Sequence, residues 1–125
     1  MLPGEVRKVK HVMSSALTVV SPDTSLDEAV SLMTAMNVPV IVVYEGTRLV
    51  GTLTDRDIAL SRSSRDPSVI TTVGDRMRDD VPYCYEDELL TDAHALMRAS
   101  EVDWMPVLDR RGRLAGVLSI YIPFS

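Results

Sequence analysis

The run Thr54-Asp55-Arg56-Asp57 gathers a hydroxyl, a guanidinium and two carboxylates at a point where the surrounding pattern predicts a strand running straight into a helix. A helix start presents backbone N–H groups and the positive end of the helix dipole, which suits a phosphate. The Thr54 hydroxyl and the Arg56 guanidinium are donors at the same place, and arginine can hold phosphate oxygens bidentately. Asp57, ionised, can accept both hydroxyls of a ribose. The same Thr-x-x-Asp spacing is also a plain capping box, which needs no ligand to explain it. Both readings stand at this point.

The remaining reactive residue types point away from catalysis. His11 and His94 are far apart, no metal-ligand spacing joins them, and Cys84 has no cysteine partner. His94 lies beside Ala93 and Met97 on a predicted helix and reads as a half-buried structural histidine. Cys84 falls on a predicted strand without a matched base, so it reads as a small core hydrophobe. The acidic stretches Asp79-Asp80 and Glu86-Asp87-Glu88 read as solvated surface, and the methionines, mostly at apolar helix positions, as core. No acid, base and nucleophile set can be assembled, so an enzyme is not expected.

The elements that must position Thr54 and Asp57 occur twice. Sliding the chain along itself by 64 places sets Met13 on Met77, Asp23 on Asp87, Leu26 on Leu90, Ala29 on Ala93, Leu32 on Leu96, Met33 on Met97, Ala35 on Ala99 and Val38 on Val102. After a one-residue slip, Arg48-Leu49-Val50-Gly51-Thr52-Leu53-Thr54 lies on Arg113-Leu114-Ala115-Gly116-Val117-Leu118-Ser119. Two copies of this length make a pseudo-symmetric pair, not a solenoid. In the first copy, Leu26, Ala29, Val30, Met33 and Met36 follow helical spacing, and Ser25 with Glu28 forms a capping box, predicting a helix over 26–37. The runs 38–44 and 49–54 predict a hairpin across Glu45-Gly46-Thr47-Arg48, and 55–62 a short second helix. The second copy repeats the plan with a helix over 89–100 and strands over 105–108 and 114–119, and ends before a second short helix. Residues 63–68 read as the connector.

Composition narrows the partners. The 125 residues, 46% apolar and 25% charged, suit a packed globular chain. A net charge of −5 and only 5% aromatic residues disfavour duplex DNA and single-stranded RNA alike. No apolar run is long enough to cross a membrane, residues 1–12 lack the hydrophobic stretch of a signal peptide, and a lone cysteine fits a reducing compartment, so a cytoplasmic protein is expected.

In order and spacing these pieces resemble the CBS domain, a regulatory module named after cystathionine β-synthase, present here as a tandem pair over 9–66 and 67–125. The resemblance rests on Val12-Met13, Leu17 to Pro22, Gly51 to Ile58, Arg76-Met77, Trp104 to Asp109 and Gly112 to Ser119. It implies an α/β (α+β) fold of two βαββα repeats, packed as a pseudo-twofold pair with two clefts. Members commonly form homodimers and bind adenosine-containing ligands such as AMP, ADP, ATP or S-adenosylmethionine, reporting energy or metabolic state to a regulated protein partner. Carried over position by position, the first site would comprise Ala16, Thr18, Val38, Val40, Thr52, Thr54, Arg56 and Asp57, with Thr54 on phosphate or ribose and Asp57 on the ribose hydroxyls. The second would comprise Pro82, Val102, Trp104 and Ser119. That second site is degraded, because Ile122 stands where the ribose-binding acid belongs, and Trp104-Met105 replaces the His-Arg pair that helps some members hold phosphate. Positive charge is then left to Arg56, Arg62 or Arg65. Trp104 is open to two readings, stacking on a base or filling volume. Arg7, Lys8 and Lys10 read as a solvated arm, and the apolar 121–124 as a dimer contact or the stub of a longer chain. The expected function is nucleotide sensing, and the competing one a ligand-free dimerisation or docking module.

Overall fold

The Leu26, Ala29 and Met33 stripe forms the buried face of a helix, α1 (Leu26–Met36), in a computed structural model that describes residues 7–15, 17–62 and 71–121. Ser25 caps the helix by accepting the Glu28 N–H at 3.1 Å. Asn37 ends it in the left-handed region at φ 53, a conformation asparagine tolerates better than most residues. Before α1 comes a short strand, β1 (Val19–Val20), and after it β2 (Val40–Glu45) and β3 (Arg48–Thr54). The order is β1-β2-β3, with β1 parallel and β3 antiparallel to the central β2. Gly46 supplies the positive φ, +64, that the tight turn between β2 and β3 requires. β3 passes without a loop into α2 (Asp55–Arg62), and a one-turn helix, α3 (Val73–Arg76), follows the connector.

The second repeat builds the same plan from β4 (Cys84–Tyr85), α4 (Leu90–Ser100), β5 (Trp104–Leu108) and β6 (Leu114–Ser119), in the order β4-β5-β6. Both hairpins carry an irregularity at matching places, between Val43 and Tyr44 and between Val107 and Leu108. The mixed α+β architecture read from the sequence is therefore present, with strands beginning and ending within a residue or two of their predicted limits. The short helix α3 was not foreseen.

In space the chain divides into two compact units, Thr18–Val81 and Met1–Leu17 with Pro82–Ser125. Each hydrophobic core is completed by a segment remote in sequence. In the first unit, Val73 is fully buried among Val20, Leu26, Ala29, Met33, Ile41, Val43, Leu53 and Ile58. In the second, Val9 is equally buried among Cys84, Leu90, Ala93, Met97, Met105, Val107 and Leu118. Val9 and Val73 are related by the 64-residue shift, so the two units use equivalent residues. The same segments extend the sheets: Arg78 pairs with Thr52 through bonds of 3.0 and 2.8 Å, and Ser14 with Val117 through two of 2.9 Å. The segment heading each repeat in sequence thus belongs to the other unit in space, and the expected division at 66/67 follows sequence order only. The connector at 63–68 lies outside the described residues.

Surface carboxylates tie the turns. Asp75 accepts the Thr72 N–H at 3.1 Å, Asp109 accepts the Arg111 and Arg113 N–H groups at 2.8 and 3.0 Å, and Arg78 and Arg110 pair with Asp80 and Asp87. These donors hold all four carboxyls below the usual aspartate range. A depressed folded-state pKa contributes stability that is complete above the unfolded value and lost as pH falls through the folded one. Urea midpoints are accordingly expected to be insensitive to these groups from pH 7 to 5 and to fall below about pH 4. A midpoint that rose on acidification below that point would contradict the assignment.

Candidate functional site

Thr54 ends β3 and caps α2, and the capping box is fully formed. Asp57 Oδ2 accepts both the Thr54 N–H and the Thr54 hydroxyl, each at 3.0 Å, while the Asp57 N–H donates to Thr54 Oγ1 at 3.2 Å. The Asp55 N–H donates to the Pro39 carbonyl at 3.3 Å. The box consumes the Thr54 hydroxyl proton and the Asp57 N–H, and Pro39 takes the Asp55 N–H, so the helix start has less to offer a phosphate than its sequence implies. It leaves Asp57 Oδ1 with no hydrogen-bond donor among the described residues, and an ionised carboxylate oxygen of this kind suits a hydroxyl-rich ligand. Both side chains are half-buried, and Arg56, on the same turn, is exposed.

The strand register fixes which other residues share this place. Val40 is opposite Thr54, Val42 is opposite Thr52, and Val19 pairs with Val42 on the parallel side. Because side chains alternate, Val40, Thr52 and Thr54 share one face of the sheet, while Ile41, Val43 and Leu53 enter the core with α1 on the other. Thr18 immediately precedes β1. Its carbonyl accepts the Val42 N–H at 3.0 Å, and its Oγ1 is buried with no hydrogen-bond partner among the described residues. A hydroxyl buried without a partner is costly, and a bound polar ligand would relieve it.

The carried-over residues thus divide. Thr52, Thr54 and Val40 share a face, Asp57 joins them through its two bonds to Thr54, and Thr18 stands just ahead of β1, bonded to Val42. Val38 instead packs against the helix-side core and lines a recess of about 290 Å³ with Val30, Met33, Thr34, Asp55, Ile58 and Ala59. Its N–H is spent on the Met33 carbonyl at 3.1 Å, closing the α1 C-terminus. Ala16 and Arg65 lie outside the described residues, as does the Arg62 side chain. Arg78 was missed. Its two backbone bonds to Thr52 set it at the free edge of β3, and only a tertiary pairing puts it there. A partial signal existed at Gly51. A Cβ there would stand 2.7 Å from the Arg78 carbonyl oxygen and 2.8 Å from Met77 Sδ, so only glycine admits the segment.

In the second unit, Trp104 is opposite Ser119 on the face away from Met105, Val107 and Leu118. The half-buried indole therefore is not part of the helix-side core. Ser119 Oγ accepts the Tyr121 N–H at 3.0 Å, its carbonyl lies 3.2 Å from His94 Nε2, and residues 120–121 form a turn. His94 is buried, not half-buried as its spacing implied. Val102, like Val38, closes the preceding helix and packs on the core, while Pro82 is half-buried ahead of β4. Ile122 lies outside the described residues.

Burial pushes the Cys84 thiol up to about 12, with the Glu88 carboxylate adding to the rise, so the neutral form persists and a thiolate nucleophile is not available at ordinary pH. Among the described residues no three His, Cys, Asp or Glu side chains gather where they could hold a metal ion, and no helix is long and apolar enough to cross a membrane.

Known proteins share this fold. The family model described as CBS domain matches residues 9–63 and again 73–121. The CBS domain-containing protein YhcV of Bacillus subtilis is 34% identical over 112 residues, covering 90% of this chain and 79% of its own length. A crystal structure of the CBS domain NE2398 superposes with a TM-score of 0.81 at 32% identity, covering 91% of this chain and 92% of the other. CBSX2, solved in complex with AMP, superposes with a TM-score of 0.75 at 28% identity, covering 90% and 89%.

Proposed function

Since the chain belongs to the CBS-domain family and carries two copies of the domain, we propose that it is a non-catalytic regulatory module binding an adenosine-containing ligand through its first unit. The observation that carries this reading is Asp57 Oδ1, which has no donor among the described residues, on a carboxylate held in place by Thr54, in the same unit as the Thr18 hydroxyl, which likewise has no partner among them. The AMP complex of the similar CBSX2 supports the ligand class. AMP, ADP, ATP and S-adenosylmethionine are the candidates. Asp57 takes the ribose hydroxyls, and the base lies against the sheet face that carries Val40 and Thr52, both of them buried in the unliganded chain. Regulation follows if the ligand binds one arrangement of a homodimer, or of its complex with a regulated partner, more tightly than another.

The test is a thermal-shift series with AMP, ATP and S-adenosylmethionine. A ligand at 100 times its Kd contributes about 2.7 kcal/mol of stability, roughly 10 °C in Tm for a chain of this length. The Asp57→Ala variant is expected to lower the unliganded Tm slightly, because the cap is lost at about 1 kcal/mol, and to abolish the ligand-induced shift. An Asp57→Ala protein that kept the full shift would remove Asp57 from the site. A flat response of the unaltered protein to every adenosyl ligand, with a stable dimer by light scattering, would replace the proposal by a ligand-free docking module.

A further inference from the structure

If the first unit takes a phosphorylated adenosine, something must neutralise the phosphate, and the Thr54 hydroxyl proton and the Asp55 and Asp57 N–H groups at the α2 start are already bonded within the protein. The geometry points to Arg78 as the phosphate-selecting residue of this site, released from Asp80 when a phosphoryl group arrives. The inference rests on the ligand-binding reading above and specifies its charge preference.

Three observations carry it. Arg78 is directly opposite Thr52 in an antiparallel pairing, so its side chain emerges on the face shared by Val40, Thr52 and Thr54. Residues diagonal to one another across such a pair are about 7–8 Å apart, within reach of a long side chain, and Thr54 stands on that diagonal. The backbone of Arg78 is pinned by both bonds to Thr52, and its side chain is 36% exposed, against 72% for Asp80. Arg78 is thus partly ordered before any ligand binds, unlike Arg56 on the exposed helix turn, so less side-chain freedom is lost on forming a contact. Finally, Arg78 Nε donates to Asp80 Oδ1 at 2.8 Å. An exposed carboxylate such as Asp80 is a weak competitor for a phosphate monoester, which carries about −1.5 to −2 charge and three acceptor oxygens. The Arg78–Asp80 pair is therefore suited to exchange its carboxylate for a phosphate while leaving an unphosphorylated nucleoside unaffected.

Isothermal titration of adenosine, AMP and ATP into the full chain tests this, with circular dichroism confirming that each variant is folded. Arg78→Gln is expected to weaken AMP and ATP binding at least tenfold and leave adenosine within twofold, since it removes a charge-assisted bond made to phosphate alone. Arg78→Lys is expected to restore part of the preference, and Asp80→Asn, which removes the competing carboxylate, to tighten AMP relative to adenosine. If Arg78→Gln weakens adenosine and AMP equally, or neither, Arg78 does not select phosphate, while adenosine binding by the unaltered protein would still uphold the ligand site. Absence of binding by all three compounds to the unaltered protein overturns both.

Discussion

Gly51→Ala is expected to destabilise the first unit by about 3 kcal/mol, lowering Tm by roughly 10 °C, and to disturb ligand binding as well. The added Cβ would meet the Arg78 carbonyl oxygen at 2.7 Å, and a backbone atom cannot swing aside as a side-chain tip can. Relief requires the 77–78 segment to move off β3, which breaks the two Thr52–Arg78 bonds and withdraws Met77 from the core it packs against. Gly116→Ala should behave alike in the second unit, where the Cβ would lie 2.5 Å from the Ser14 carbonyl oxygen and 2.9 Å from Met13 Sδ. Gly46→Ala separates steric contact from backbone strain. Nothing lies within 4 Å of its Cβ, so its cost is limited to the positive φ, about 1 kcal/mol. Thermal melts of the three variants provide the comparison. If Gly51→Ala and Gly116→Ala proved no more costly than Gly46→Ala, the close approach of the crossing segments would be refuted.

Val9→Asp is expected to cost at least 4 kcal/mol, enough to unfold the second unit or release residues 7–14 from it. Val9 is fully buried among apolar neighbours, and its N–H is bonded to the Glu88 carbonyl at 2.9 Å, so a carboxylate there has neither water nor a cationic partner in the core. Lys10→Asp, one residue away on an exposed side chain, should change stability by no more than about 0.5 kcal/mol. Urea denaturation followed by tryptophan fluorescence reads both, since Trp104 is in the same unit. A Val9→Asp protein with an unaltered midpoint would mean that the segment does not complete this core.

The helices and hairpins were legible because their signals are local. The Leu26, Ala29, Met33 spacing and the Ser25 cap fix α1, and the β-rich runs around Gly46 fix the first hairpin. The Thr54–Asp57 spacing was legible as well, but its two meanings were not separable until the bonds were seen. The formed box shows that capping is real and that, among the described residues, it leaves one carboxylate oxygen without a donor. Val38 could not be assigned from alternation, because its irregular backbone ahead of β2 turns it toward the helix-side core. His94 sat at a helix position that spacing alone leaves half-exposed; its contact with the Ser119 carbonyl depends on where β6 ends.

From the sequence alone came the duplication, the βαββ order within each copy, the family and the hydroxyl–carboxylate pair at the α2 start, all of which depend on residues close together in the chain or on its repeat. The tertiary structure decided which segment completes which core, and hence that Arg78 stands beside Thr52 and Val9 beside Met97. Pairing between distant segments leaves no periodic trace in either partner. Its only mark was a glycine in each copy, whose missing side chain makes room for a backbone that arrives from elsewhere.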